Sequence, residues 1–338
     1  MKTFFSILFS LIILLTTSCS ETKFTHDYWV MDTYCTVTLY GQTDNNTKEL
    51  VSETLEKYEK ELLIKDGSKS FFADADNCEI PISKDISEML KICKQISELT
   101  EGAFDLSVAP LTKLWDIQNR TTPPTENEIE SAKILVGYKN IIIEDSTVTL
   151  LNKDSGLDIG AVGKGYAGEK AAKTLKSKGY TAGILNLGGN VTVFGENPNR
   201  EDGYFMIGIK NPLSLSDIYC SVKVKNTNVV TAGGYERYFE YENKRYHHII
   251  DPQTGYPAEN GIRSVTIVCT NGIVADATAT AIYVTGPEKA LDILRELEKQ
   301  YPDIAAIIYT DENDIVTYNT EKYEFTTYNF EGDIYRND

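Results

Sequence analysis

The chain has 338 residues, enough for one large domain or two ordinary ones, and its 41% apolar and 25% charged residues are the composition of a folded globular protein. Asp and Glu number 50 against 33 Lys and Arg, a formal net charge of -17. That charge repels phosphate backbones and argues against nucleic-acid binding, but it leaves room for a small phosphate-bearing molecule held locally by backbone amides or a metal. Three histidines, six cysteines and no CxxC pair nearly exclude a Cys/His zinc site.

The chain opens with MKTFFSILFSLIILLTTSCS, in which Lys2 precedes a twelve-residue apolar stretch, 4–15, broken only by two serines. A spanning helix needs about 20 apolar residues, so the stretch predicts an export signal instead. Thr17-Ser18-Cys19 resembles a bacterial lipobox, whose cysteine is acylated and becomes the mature N-terminus, although Leu15 stands four residues before Cys19 rather than three. The expectation is a lipoprotein signal peptide over 1–18, a tether over 19–27 after lipidated Cys19, and a domain over 28–338 anchored to the cell membrane on its periplasmic or exterior side. An ordinary secretory signal with an incidental cysteine is the alternative. The other five cysteines are odd in number and scattered, which suggests buried thiols rather than a disulfide framework.

Residues 28–40, rich in β-branched and aromatic side chains, predict a strand. Helices are predicted over 47–63 and 87–99, the second stopping at Thr100-Glu101-Gly102. After Pro123-Pro124 a helix is expected over 126–135, with Thr125 and Glu128 at capping-box spacing. Strands follow near 141–143 and 148–151. From Leu157 the pattern reads strand, glycine-rich turn, helix to Lys178, and a strand closed by Gly188-Gly189. Residues 203–250 alternate as strands, with a hairpin turn at Glu242-Asn243-Lys244. A strand over 264–269, helices from about Ala275 and over 288–299, and two closing strands complete one composite α+β domain without repeats or low-complexity linkers.

Four segments carry candidate chemistry. In 157–179, Gly163, Gly165 and Gly168 spell G-x-G-x-x-G, but Gly160-Ala161-Val162 intervene after the strand and no carboxylate closes the next one, so a dinucleotide fingerprint is weak. Lys164 is followed by Gly165 rather than Ser or Thr, so it is not a Walker A loop either. What remains is a glycine-rich turn and a lysine at a helix N-terminus, suited to phosphate oxygens, with a carbonyl available to a cation. The competing reading is a turn whose glycines serve only packing. In 272–286, Asp276 and Thr280 are four apart and share a helix face that suits Mg²⁺, unless Asp276 is merely an N-cap. In 235–257, adjacent His247 and His248 on a strand point to opposite faces, so at most one serves a cleft as general base, and Asp251-Pro252 with Thr254-Gly255 marks a turn. In 99–116, Ala103-Phe104-Asp105 suits the edge of an aromatic ring, whereas Leu111 and Trp115 read as core.

In this order, MDT (31–33), TEGAFDLSVAPL (100–111), LDIGAVGKGYA (157–167), NLGGN (186–190), YERYFEYENKRYHHIIDPQTGYP (235–257) and ADATATA (275–281) resemble the ApbE-type family of FAD:protein FMN transferases over about residues 28–320. The resemblance implies a single T-fold-related α+β domain with mixed or antiparallel sheets and flanking helices. It also implies Mg²⁺ as cofactor and FAD as substrate: the flavin pyrophosphate is cleaved, FMN moves onto a threonine of an exported acceptor protein, and AMP leaves. By the same resemblance the metal falls to the Ala161 carbonyl, Asp276 and Thr280, and flavin contacts to Met31, Ala103, Phe104, Asp105, Asp158 and Lys164. The base is His248. Acceptors would resemble exported subunits of Na⁺-pumping NADH:quinone oxidoreductases or Rnf-type complexes. Two departures stand out: Thr231-Ala232-Gly233-Gly234 where many members have Thr-Ser-Gly, and a poor match over 60–77, the segment that usually covers the flavin. Rival activities are an FAD pyrophosphatase releasing FMN and AMP, and a lipoprotein that binds FAD without chemistry.

Overall fold

The computed structural model describes residues 22–64 and 69–337. The signal segment, Cys19 and part of 60–77 lie outside the described residues. Among those described, no helix is long and apolar enough to cross a membrane.

Nine strands stand side by side in chain order: Thr22–Val30, Thr33–Gly41, Ala182–Leu187, Asn190–Phe194, Thr227–Gly233, Ile262–Cys269, Ala305–Thr310, Ile315–Tyr318 and Ile334–Asn337. Every neighbouring pair is antiparallel except the last, which is parallel. The strand predicted over 28–40 is in fact two strands joined by a hairpin. Val30 pairs with Thr33, and Met31 and Asp32 between them take φ of 58° and 57°. Two left-handed residues match the right-handed twist of the flanking strands, but the position usually calls for Asn-Gly, and Met-Asp carries no such signal. Neighbours hold the turn in this costly conformation: Met31 N–H donates to Glu59 Oε1 at 2.7 Å, and Lys69 pairs with Asp32 at 2.9 Å.

Seven α-helices accompany the strands: α1 Thr47–Leu62, α2 Lys84–Leu99, α3 Ala109–Trp115, α4 Glu126–Lys133, α5 Gly160–Ser177, α6 Gly272–Thr285 and α7 Pro287–Glu298. Their starts follow their caps. Ser83 accepts from Ile86 N–H and starts α2 three residues before the predicted point. The Thr125–Glu128 capping box is present at α4. Asn271 accepts from Ile273 and Val274 N–H and starts α6 at Gly272. Asp276 is therefore one turn inside α6, and the N-cap reading of it is excluded.

Alternation across the sheet separates two cores. Val230, Ile267 and Ile308 face α1, α2, α5, α6 and α7, whereas Val229, Val268 and Ile307, one position away on the same strands, face a small sheet formed by Phe205–Asn211, Ser214–Val224 and Thr326–Thr327. A third cluster joins Leu111 and Trp115 of α3 to Ile129 of α4, Phe239 and Ile250, so the first two are core as expected. Helix α6 is sandwiched: twelve of its fourteen residues are buried, which makes a carboxylate on it conspicuous.

Candidate active site

The glycine-rich stretch after Leu157 is helix rather than turn. The strand Gly156–Asp158 leads through Ile159 directly into α5, so Gly163, Gly165 and Gly168 lie within the helix. Gly165 and Gly168 permit close approach. A β-carbon on Gly165 would stand 2.1 Å from the Gly272 carbonyl oxygen, and one on Gly272 would stand 2.3 Å from that of Gly165. The packing reading of these glycines is the one the structure supports, and the phosphate-cradling turn is corrected accordingly. The same crossing nevertheless creates a polar site. Gly165 N–H donates to Asp276 Oδ2 at 2.9 Å, joining residues 111 positions apart.

That bond bears on Ala161. In a regular α-helix the Gly165 N–H belongs to the carbonyl four residues back, that of Ala161. With Asp276 drawing on this donor, the Ala161 oxygen keeps lone-pair capacity for a cation. Thr280, one turn beyond Asp276 on α6, is half-buried, and its hydroxyl has no hydrogen-bond partner among the described residues. Asn190, 4% exposed, has a buried Nδ2 with no partner. One carboxylate and neutral oxygens fit a hard cation that retains waters, such as Mg²⁺. Among the described residues no three His, Cys, Asp or Glu cluster as a softer metal would require.

Lys164, half-buried on α5, makes no ion pair among the described residues. Its ammonium acts on the Asp276 and Glu236 carboxylates and on the His248 imidazole. Burial pushes Asp276 above the ordinary carboxylate range, opposed by Lys164, the Gly165 amide and Asn190. His248 is pushed below the ordinary histidine value by burial first, then by Arg237, Lys164 and His247. Lys164 thus links α5, α6 and the segment carrying His248 in one electrostatic field.

The two histidines separate as strand geometry requires. His247, 7% exposed, is spent on structure: Nε2 meets the Ala258 carbonyl at 2.9 Å and Nδ1 accepts from Ile249 N–H at 3.3 Å. His248 Nδ1 lies 3.3 Å from the Arg237 carbonyl, which places the proton on Nδ1 and the lone pair on Nε2. The turn after His248 is pinned to the 99–116 segment, with Trp115 Nε1–H donating to Gly255 O at 2.7 Å and Gln253 Nε2 to Glu101 O at 3.1 Å.

The remaining candidates hold the frame around this centre. Asp158 Oδ1 accepts from Gly160 N–H and Oδ2 from the Thr112 hydroxyl, both at 2.9 Å, tying α3 to the start of α5. Asp105, 6% exposed, accepts from Ser107 N–H at 2.7 Å and from Tyr138 N–H at 2.8 Å, so one oxygen shapes its own turn and the other ties that turn to the Tyr138 segment. Ala103 and Phe104 are buried beside it, and Met31 is buried at the tip of its hairpin. No hydrogen bond among the described residues joins the Met31 and Ala103–Asp105 segments to Lys164 or Asp276. Sequence reasoning missed Asn190 and Arg237. Both lie within quoted motifs, but nothing in a one-dimensional pattern marks an unmet amide or a carbonyl that fixes a tautomer.

The sequence profile described as the ApbE family matches residues 31–308. The FAD:protein FMN transferase of Klebsiella pneumoniae (strain 342) is 31% identical over 284 residues, 82% of this chain and 86% of that protein. The one of Escherichia coli (strain K12) is 30% identical over 223 residues, 64% of this chain and 63% of that protein, so there the match spans less than two thirds of the relative. Among solved structures, the fold is similar to the ApbE protein of Thermotoga maritima, with TM-score 0.74 and 26% identity over 91% of this chain and 97% of that one. It is also similar to the apo form of the Pseudomonas stutzeri flavinyl transferase ApbE, with TM-score 0.71 and 26% identity over 88% and 94%.

Proposed function

The chain belongs to the ApbE family, and from that premise we propose that it is an FAD:protein FMN transferase whose reaction centre is the crossing of α5 and α6. The observation that carries this reading is the Gly165–Asp276 hydrogen bond, which joins the two segments that would grip a cation against a diphosphate.

The Ala161 carbonyl, Asp276 and Thr280 would hold Mg²⁺, which would neutralise diphosphate oxygens and make phosphorus a better electrophile. Lys164, uncommitted to any carboxylate, places its ammonium against the same oxygens of FAD. The acceptor threonine attacks the FMN phosphorus, forming a P–O bond as the pyrophosphate P–O bond to AMP breaks. His248 Nε2 takes the hydroxyl proton, and the Arg237 carbonyl steadies the imidazolium that results through Nδ1–H. Because its pKa is depressed, His248 is neutral and able to accept a proton near neutral pH. His247, with both nitrogens engaged, contributes position rather than proton transfer.

Incubation with FAD and Mg²⁺, with and without an acceptor domain, tests the reading. An FMN-sized mass gain on the acceptor with release of AMP supports transfer. Free FMN and AMP made equally without acceptor would replace transfer by hydrolysis, and FAD bound unchanged would reduce the protein to a binder. Asp276→Ala is expected to abolish Mg²⁺-dependent turnover, whereas His248→Ala should keep FAD binding and lose transfer. Acceptors of the class of exported Nqr- or Rnf-type flavoprotein subunits fit a protein anchored outside the cytoplasm through Cys19. Cys19→Ser should move the protein from the membrane fraction to the soluble one.

A further inference from the structure

Asn190 follows the two-residue turn Gly188-Gly189 and opens a strand that is buried throughout. Among the described residues its Nδ2, at a position 4% exposed, has no hydrogen-bond acceptor. A buried amide left unmet costs about 1–3 kcal/mol, so its retention calls for a nearby acceptor that it engages once the site is loaded. Topology says where that partner lies. Helix α5 is followed by the strand Ala182–Leu187, which returns along it. The next strand, Asn190–Phe194, is antiparallel to that one and so runs in the direction of α5. Val191 and Val193 face the second core, leaving Asn190 and Thr192 toward the helices. Thr192 sits under α5 at Gly168, where a β-carbon would meet its hydroxyl at 2.4 Å. Two strand residues span roughly 6.6 Å, a little more than one helical turn, so Asn190 falls about one turn before Gly168, in the turn whose Gly165 amide is bonded to Asp276. The Asn190 amide is close enough to the Asp276 carboxylate to act on it as a hydrogen-bond donor, without a fully formed bond in this conformation.

We propose that Asn190 is a positioning residue that completes the hold on Asp276: Gly165 N–H fixes Oδ2, and Asn190 Nδ2–H takes the carboxylate's remaining capacity once a cation is present, setting its plane for metal binding. The inference rests on the Mg²⁺ site of the proposed function. It explains why an amide opens a strand that is buried throughout, and why that amide is not fully met without a ligand. Partners of metal-ligating groups are commonly worth about 10–100-fold in metal affinity.

The test uses flavin fluorescence to follow FAD binding by the full chain, without acceptor, across a Mg²⁺ titration, together with thermal unfolding in chelator. For Asn190→Leu, close in shape and lacking the donor, the Mg²⁺ half-saturation should rise about 10–100-fold while FAD affinity in chelator stays at the wild-type value. Metal-free thermal stability should be equal to wild type or higher, because an unmet donor has been removed. Asn190→Ser, whose hydroxyl is too short to reach, should show the same shift and guards against misfolding of the leucine variant. Unchanged Mg²⁺ half-saturation, with or without a fall in metal-free stability, would overturn the role of Asn190 alone. Wild-type FAD binding that ignores Mg²⁺ would overturn the metal site itself and this inference with it.

Discussion

His247 and His248 are adjacent and chemically identical, yet one holds a loop and the other keeps a free nitrogen. The difference lies in which carbonyl each ring meets: Ala258 and the Ile249 amide enclose His247, whereas Arg237 engages only one nitrogen of His248. His247→Ala should therefore lower unfolding free energy by about 2 kcal/mol or more, through the backbone groups it leaves unmet, in a denaturant titration. His248→Ala should leave that titration nearly unchanged. Burial first, then the Arg237 and Lys164 charges, hold the His248 pKa below 6.5, and a base works only when neutral, above its pKa. The acid limb of kcat/KM for transfer should consequently lie well below pH 6.5. A limb at or above that value would show that another group is the base. At this scale the sequence narrowed the choice to one histidine of two, because adjacent strand residues must face apart, but only the fold shows which carbonyls surround each.

At the scale of the element, the crossing of α5 and α6 is the decisive contact, and glycine permits it. Gly165→Ala would drive a β-carbon into the backbone of Gly272, which cannot swing aside. The expected result is a loss of about 1–3 kcal/mol or more in stability and loss of Mg²⁺-dependent FAD binding, since Asp276 would be pushed away from the Gly165 amide. Gly163→Ala is the control: its nearest neighbour is a Leu62 methyl at 3.1 Å, the end of a flexible side chain, and alanine is the better helix former. Gly163→Ala should stay near wild type in both measurements. The G-x-G-x-x-G spelling was legible in sequence and its meaning was not, because glycine marks a close approach without saying what approaches. The same limit hid the hairpin at Met31-Asp32, where surrounding contacts impose φ values that the residue types do not favour.

The whole molecule shares one sheet between two cores, one under the helices and one under the small sheet. Residues alternate between them along each strand, so neither core can be lost while the other keeps its strands. Leu55→Ala in the first core and Phe205→Ala in the second, each essentially fully buried, should lower a single common unfolding transition by about 2–5 kcal/mol. Calorimetry resolving two transitions, with each variant moving only one, would show that the cores unfold separately. This arrangement also positions the site: the sheet carries Asn190, while α5 and α6 packed on its helix face bring Lys164 and Asp276 together.

Sequence by itself determined what is local or compositional: the excess of acidic residues, the α1 and α2 periodicities, the Thr125–Glu128 cap, the Glu242-Asn243 turn, and the motifs that resemble a flavin transferase. Such features depend on neighbours within a few residues, and chain order contains them. Tertiary structure alone decided that Gly165 of α5 makes room for α6, that Asp276 lies inside a helix against the Gly165 amide, and that the buried Asn190 amide has no full partner among the described residues. Those are contacts between segments about a hundred residues apart. Their energies come from excluded volume and desolvation, which exist only once the sheet has brought the segments together.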